Sequence, residues 1–274
     1  MSTLNEKINE SIKLINDNIS DNDKLALSFS GGKDSTIVYN ILKSMGIVDK
    51  VDIYYRQSGM ETDNMKEFLN KIPNLKYSGV NIVDEIKNKK YLPLTLSIVK
   101  PLQYEGIDLT NLNLFCCKAR HRVQFDIFKN YNIVFKGSRL TDYDTLHKTI
   151  PVPMPVTETK YKYKIINPLV NWESEDCWNY IKENNIEICN DYETIGRTRT
   201  CLLCNMWDVT TNSVIREKLK NNYTELYNKY LELAKYCYDN NEELQKIFSS
   251  YEEYFELWIN KDKMLERLLK YYKK

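Results

Sequence analysis

Two groups of residues in this chain have the types and spacing to do chemistry. The first is SFSGGKDS at positions 28–35. The whole chain of 274 residues holds only eight glycines, and Gly31 and Gly32 are spent side by side here. Glycines let a backbone turn tightly and approach a ligand with no Cβ in the way. Amides at the start of a following helix then converge, with the positive end of the helix dipole behind them. Lys33 adds a cation, while Ser28, Ser30 and Ser35 add hydroxyls. Such a loop is a phosphate cradle. Asp34 is out of place in a pure anion site and fits a role in holding the loop or a Mg2+ ion. The Walker A pattern GxxxxGK[ST] is absent.

The second group is cysteine. Cys116 and Cys117 are adjacent, and Cys201 and Cys204 form a CxxC some eighty residues later. Two local pairs can supply four thiolates to one tetrahedral centre. An iron–sulfur cluster takes neighbouring cysteines on different irons. Zn2+, the alternative, usually takes pairs separated by two to four residues. Basic residues flank both pairs: Lys118, Arg120, His121 and Arg122, then Arg197 and Arg199. They can offset thiolate charge, meet a phosphate, or form a solvated face. Cys177, beside Trp178 on an apolar helix face, reads as core; Cys189 and Cys237 read as packing.

These groups need elements to position them. KLALSFS at 24–30 reads as a buried strand and 35–45 as a helix stopped by Gly46. Before them, Leu4, Ile8, Ile12, Ile15 and Ile19 lie at helical spacing. A strand is expected at 51–58, a helix around 61–72, and a third strand at 74–80. The stretch 91–115 is ambiguous, broken by Pro93 and Pro101. A helix follows at 116–131 and a strand at 132–138. PVPMPV at 151–156 reads as an extended loop, KYKYKIINPLVNW as a strand or hairpin arm, and 174–185 as a helix with Ser174 as N-cap. Strand–helix alternation specifies an α/β fold: a doubly wound, mostly parallel sheet. From about 213 the chain becomes charged, Tyr-rich and free of Gly and Pro, which reads as two or three helices. The expected domains are therefore 1–207, carrying the loop and cysteines, and a helical extension over 208–274.

Composition excludes several classes. Thirty-nine basic and 38 acidic residues leave a net charge of +1, so bulk charge recruits neither nucleic acid nor membrane. Mean hydropathy is −0.54 and no window reads as a membrane span. The N-terminus has neither the basic start nor the apolar run of a signal peptide, so a cytoplasmic location is expected. Seven cysteines in that compartment are not a disulfide framework.

SFSGGKDS resembles the PP-loop of the ATP pyrophosphatases, or adenine nucleotide α-hydrolases. Within them the chain resembles the phosphoadenylylsulfate (PAPS) reductase-like family. The resemblance continues through IYYRQSGMETDNMKEFL, VFKGSR, INPLVNWESEDCWNYIKENNI and DYETIGRTRTCLLC, in consistent order over roughly 20–207. It implies adenine nucleotide at the carboxyl ends of the strands, with Gly59 in the turn after the second strand. It also implies that Gly137 and Arg139 lie near the α-phosphate or the group attached to it. Finally, it implies a [4Fe–4S] cluster on Cys116, Cys117, Cys201 and Cys204, as in the adenylylsulfate (APS) reductases. The chain departs from those reductases twice. It lacks their C-terminal Glu-Cys-Gly-x-His motif, and it carries Lys33 where they, acting on a nucleotide without β- and γ-phosphates, have none. Both departures point to ATP as substrate: cleavage to AMP and pyrophosphate with Mg2+, adenylation of an acceptor (a small molecule or nucleic acid), and transfer of sulfur from a donor, catalysed by Lys33, Asp34 and Arg139. The alternatives are an APS/PAPS reductase, a sulfate adenylyltransferase-like enzyme, or a nucleotide- and cluster-binding regulator without catalysis. The C-terminal helices are candidates for homodimerisation or acceptor docking.

Overall fold

The computed structural model describes residues 2–89, 92, 96–110, 117–145, 152–196, 198 and 209–273. Two compact units emerge. The first comprises 1–56, 63–79 and 122–192; the second comprises 57–62, 80–121 and 193–274.

The first unit is built on a six-stranded sheet. Its strands are β1 (Leu25–Phe29), β2 (Val51–Gln57), β3 (Lys76–Gly79), β4 (Ile133–Phe135), β5 (Val156–Glu158) and β6 (Lys164–Ile166), in the order β3-β2-β1-β4-β6-β5. β1 runs parallel to β2 and β4, and β4 parallel to β6; β5 returns antiparallel beside β6. β5 and β6 bear out the hairpin arm, and the end of the Pro-rich loop becomes its edge strand.

Alternation along β1 sorts side chains onto two faces. Leu25, Leu27 and Phe29 join a core with Ile37, Val38 and Ile41 from α2 (Lys33–Ser44), Phe68 and Leu69 from α3 (Asp63–Asn70), and Trp172. α1 (Leu4–Asn16) and α8 (Ser174–Glu183) also pack there. Trp172 donates its indole N–H to Ser11 Oγ at 3.1 Å, and Lys7 pairs with Asp176. Ala26 points the other way, into a smaller core with Val134, Tyr163 and Phe128 of α6 (Cys117–Phe128). Helices on both faces satisfy the doubly wound expectation. Two local details differ from it. The loop helix begins at Lys33, so the cradle residues Lys33–Ser35 are already helical. Glu173, not Ser174, is the N-cap of α8; its amide donates to Asp176 Oδ2 at 2.6 Å.

The second unit is helical. α4 (Ile82–Lys89) and α5 (Leu96–Tyr104) precede α6, and five helices form the C-terminal region: α10 (Val209–Asn222), α11 (Thr224–Asp239), α12 (Glu242–Ile247), α13 (Tyr251–Trp258) and α14 (Lys261–Tyr272). The short α7 (Leu140–Thr145) and α9 (Asp191–Thr194) complete the order. Two or three tail helices were expected; Asn241, Ser250 and Asn260 each cap a new helix with a side-chain oxygen, so capping residues divide the tail more finely. α4 has no counterpart in the sequence reading, and Pro101 lies inside α5. Ile82, Ile86, Ile98 and Leu102 share one core with Leu233, Leu244, Tyr254 and Trp258. Tyr236 donates its hydroxyl to Lys87 O at 2.9 Å, and Lys273 pairs with Glu105 at 2.6 Å. The expected boundary between 207 and 208 lies outside the described residues. Among the described residues no helix is long and apolar enough to cross a membrane.

Candidate functional site

The loop between β1 and α2 has its conformation fixed by its own side chains. Ser35 Oγ accepts from the Ser30 amide at 3.1 Å and donates to Gly32 O at 3.0 Å. Ser30 Oγ lies 3.0 Å from Ser35 Oγ and 3.3 Å from the Gly32 amide. These hydroxyls hold the turn. Gly31 has φ +72°, and a Cβ there would lie 2.5 Å from Met65 Sδ. Gly32 is the N-cap of α2 and has no side chain to satisfy the first amides. The Lys33 amide donates to the Tyr192 hydroxyl at 2.8 Å. Gly32 thus supplies no cap of its own, Tyr192 occupies the Lys33 amide, and the helix dipole is directed at the loop.

Three groups gather on Asp34. Lys33 Nζ donates to both its oxygens, at 2.7 and 2.9 Å. Arg139 Nε stands 3.1 Å from Oδ1, and the Cys177 thiol donates to Oδ1 at 3.3 Å. Arg139 arrives from the end of β4, two residues beyond Gly137. Gly137 is tight: a Cβ would come within 2.8 Å of Asp34 C, 2.9 Å of Asp34 O and 2.9 Å of the Ser35 nitrogen. The strand end thus lies directly against the first turn of α2, which is what brings the Arg139 side chain to the loop.

Arg139 is 6 % exposed. Its amide donates to Asp142 Oδ2 and its Nη2 to Asp142 Oδ1, both at 3.0 Å. The Nε contact with Asp34 is an ion pair without hydrogen-bond alignment, and Nη1 is buried with no hydrogen-bond partner among the described residues. Burial pulls the Arg139 pKa down, but the Asp34 and Asp142 carboxylates outweigh it and hold the pKa above its ordinary value. Burial, then Asp34, push the Cys177 thiol up to about 12, so it is a neutral donor here.

The structure joins Ser30, Gly31, Gly32, Lys33, Asp34, Ser35, Gly137 and Arg139 in one site. Ser28 stands in β1 on the α6 face, accepting from Gln124 Nε2 at 3.2 Å. Gly59 belongs to the second unit, with φ +76°. A Cβ there would lie 2.4 Å from Asn81 Oδ1, so its glycine has a packing reason of its own. Cys116, Cys201 and Cys204 lie outside the described residues; of Cys117, only its backbone place at the start of α6 is described. Among the described residues no three His, Cys, Asp or Glu form a metal-binding group. Tyr192, Asp142 and Cys177 were not read as site residues. Tyr192 stands in the quoted DYETIG motif and Asp142 three residues after Arg139, but only packing marks Cys177.

A family model described as the phosphoadenosine phosphosulfate reductase domain matches residues 24–202, well over half of the chain. The chain belongs to that family. The matched span runs from the start of β1 past α9 and holds every loop residue, Gly137 and Arg139. A search of the curated proteins finds no match. Among solved structures, the chain resembles PAPS reductase from Candida auris at 15% identity, covering 70% of this chain and 92% of that one, with a TM-score of 0.46. FMN adenylyltransferase from Candida glabrata in complex with ATP matches at 15% identity and TM-score 0.44, over 70% of this chain and 59% of that one. The U34-tRNA thiolase NcsA from Methanococcus maripaludis, solved with its [4Fe-4S] cluster, matches at 15% identity and TM-score 0.45, over 85% of this chain and 78% of that one. The chain is a PAPS reductase-like protein built on a mostly parallel α/β sheet.

Proposed function

We propose that this PAPS reductase-like chain cleaves ATP between its α- and β-phosphates to adenylate an acceptor. The observation that carries this reading is Arg139. A buried guanidinium whose Nη1 has no hydrogen-bond partner among the described residues costs stability unless an anion completes it. It stands beside the start of α2, whose N-cap Gly32 brings no side chain, and a lysine paired with the neighbouring aspartate, which are parts of a polyphosphate site. Asp34 holds Lys33 and Arg139 together in place of a phosphate. As the nearest carboxylate it also suits Mg2+, which takes one or two carboxylates and fills its remaining positions with phosphate oxygens and water. Bound there, Mg2+ would neutralise charge on the departing pyrophosphate.

In the reaction an acceptor oxygen attacks the α-phosphorus, the bond from that phosphorus to the bridging oxygen breaks, and pyrophosphate leaves. Lys33 and Arg139 offset the charge that develops, and the α2 amides orient the phosphates. Displacement of AMP from the adenylated acceptor by a sulfur nucleophile would complete sulfur transfer. The four cysteines 116, 117, 201 and 204 support that second step as ligands of a [4Fe–4S] cluster, with Zn2+ as the competing occupant. The family's own name supports a second reading, reduction of an adenylylated sulfate. Lys33 weighs against it, since a lysine in the loop has its use on β- and γ-phosphates.

The test is an anaerobic preparation of the full chain, assayed for iron, acid-labile sulfide and the products of ATP. AMP and pyrophosphate formed on addition of an acceptor support the reading. ADP and phosphate, or turnover of adenylylsulfate with a thiol and none of ATP, refute it. One zinc and no sulfide would remove the cluster and leave adenylation alone.

A further inference from the structure

Asp34 has three side-chain donors, and they differ in what a ligand can do to them. Lys33 and Arg139 are cations with a use on phosphate oxygens. The Cys177 thiol is an uncharged donor, 0 % exposed, and it comes from α8. Cys177, Tyr180 and Ile181 are the face of α8 that packs into the core shared with Ile37 and Ile41 of α2. One turn after Cys177, the Tyr180 hydroxyl lies 3.5 Å from Asn40 Oδ1 of α2. A capping box and the Lys7–Asp176 pair fix the start of α8, so an anchored helix delivers the thiol to the loop.

The donors divide unevenly over the carboxylate. Oδ1 meets Lys33 Nζ at 2.7 Å, Arg139 Nε at 3.1 Å and the thiol at 3.3 Å. Oδ2 meets Lys33 Nζ at 2.9 Å and nothing else among the described residues. The Asp34 side chain is 25 % exposed, so water covers little of it. Arg139 Nη1, buried and without a hydrogen-bond partner among the described residues, calls for an anion at this cluster. When Lys33 and Arg139 turn to that anion, Asp34 is left short of donors. A largely buried carboxylate stripped of its partners costs more than the same carboxylate well paired.

We propose that Cys177 is a positioning residue of the nucleotide site: its thiol stays on Asp34 Oδ1 while Lys33 and Arg139 transfer from that carboxylate to the phosphates. The inference rests on the reading of this loop as an ATP site and concerns binding, not the later fate of the adenylate. The thiol is the donor that the anion does not recruit. Its removal is felt little while both cations pair with Asp34 and more once they have left, so the loss falls on ATP affinity. The chemistry also accounts for cysteine at a core position. A hydroxyl in an apolar core demands a partner, whereas a thiol packs as a small hydrophobe and still donates weakly.

The test is a series at this one position in the full chain: Cys177→Ser, Cys177→Val and Cys177→Ala. ATP affinity is read by calorimetry with Mg2+, and urea denaturation checks that each protein is folded. Cys177→Val fills the space without a donor, Cys177→Ser keeps a donor at some loss of packing, and Cys177→Ala keeps neither. Cys177→Ser should bind ATP as the wild type does, while Cys177→Val and Cys177→Ala should bind it about tenfold more weakly, the scale of one hydrogen bond to a charged group. A role in packing alone predicts the reverse, with Cys177→Val near wild type and Cys177→Ser weakened. That reverse order, a Cys177→Ser protein as weak as Cys177→Val, or equal affinity in all four proteins overturns the proposal. If Cys177→Val does not fold, Cys177→Ser against Cys177→Ala decides the same question: retained affinity in the first and tenfold loss in the second support the donor, and equal affinities overturn it. A wild-type chain that binds ATP but never yields AMP refutes the adenylation reading and leaves the role of Cys177 to the binding series. A wild-type chain that binds no ATP overturns both.

Discussion

Gly137→Ala isolates the contact that joins β4 to the loop. The added methyl would stand 2.8 Å from Asp34 C and 2.9 Å from both Asp34 O and the Ser35 nitrogen. All three are backbone atoms in the first turn of α2, so no side chain can rotate away. Ordinary contact begins near 3.4 Å, so the strand end and the helix start must separate by roughly half an ångström, at a cost of about 1–3 kcal/mol for forced overpacking. The same displacement moves Arg139 away from Asp34 and from any phosphate at the helix start. Charge-assisted contacts are short and directional, so ATP affinity should fall about 10–100-fold, or about 1.4–2.7 kcal/mol. Gly106→Ala is the control. It has φ +73° and, among the described residues, nothing within 4 Å of an added Cβ, so it should lose about 1 kcal/mol of stability through left-handed strain without touching the loop. Urea denaturation and ATP calorimetry on both variants separate the effects. Both should be less stable, but only Gly137→Ala should bind ATP poorly. Wild-type ATP affinity in a folded Gly137→Ala protein would refute the idea that this contact sets the site.

Three further outcomes follow from the geometry. Lys33→Ala removes a cation that meets both oxygens of Asp34 and should weaken ATP binding by about 2 kcal/mol, roughly 30-fold; an unchanged affinity by calorimetry would take the lysine out of the site. Truncation at 212 would be harmless if the tail were an appendage, but Leu233, Tyr254 and Trp258 share a core with Ile82, Ile98 and Leu102. The shortened chain should therefore aggregate or lose protection from hydrogen exchange in α4 and α5, and native-like exchange there would contradict the shared core. Burial raises the Cys177, Cys189 and Cys237 thiols from 9.0 to about 12 each. Their unfolded forms release protons first, so their contribution is fully present below about pH 9 and is lost as pH rises toward 12. Denaturation midpoints measured across that window should fall, and triple replacement by alanine should flatten the decline.

The sequence by itself determined the parts whose conformation is written in contiguous residues. SFSGGKDS sits between an apolar strand and an amphipathic helix, and the function of its glycines and amides is a backbone property that needs no distant partner. The same holds for the parallel sheet, since strand–helix alternation leaves few other arrangements. Tertiary structure decided what meets that loop. Tyr192 reaches the Lys33 amide across 159 residues, and Cys177 reaches Asp34 across 143. Cys177 reads as core from its helix, and it is buried; only the packing of α8 against α2 turns its thiol onto the aspartate. The tail's helices were legible, but their number and partners were not, for a related reason. Its helical spacing was legible, but an apolar stripe does not name the surface it will cover, and α4 and α5 supply that surface only once the chain has folded.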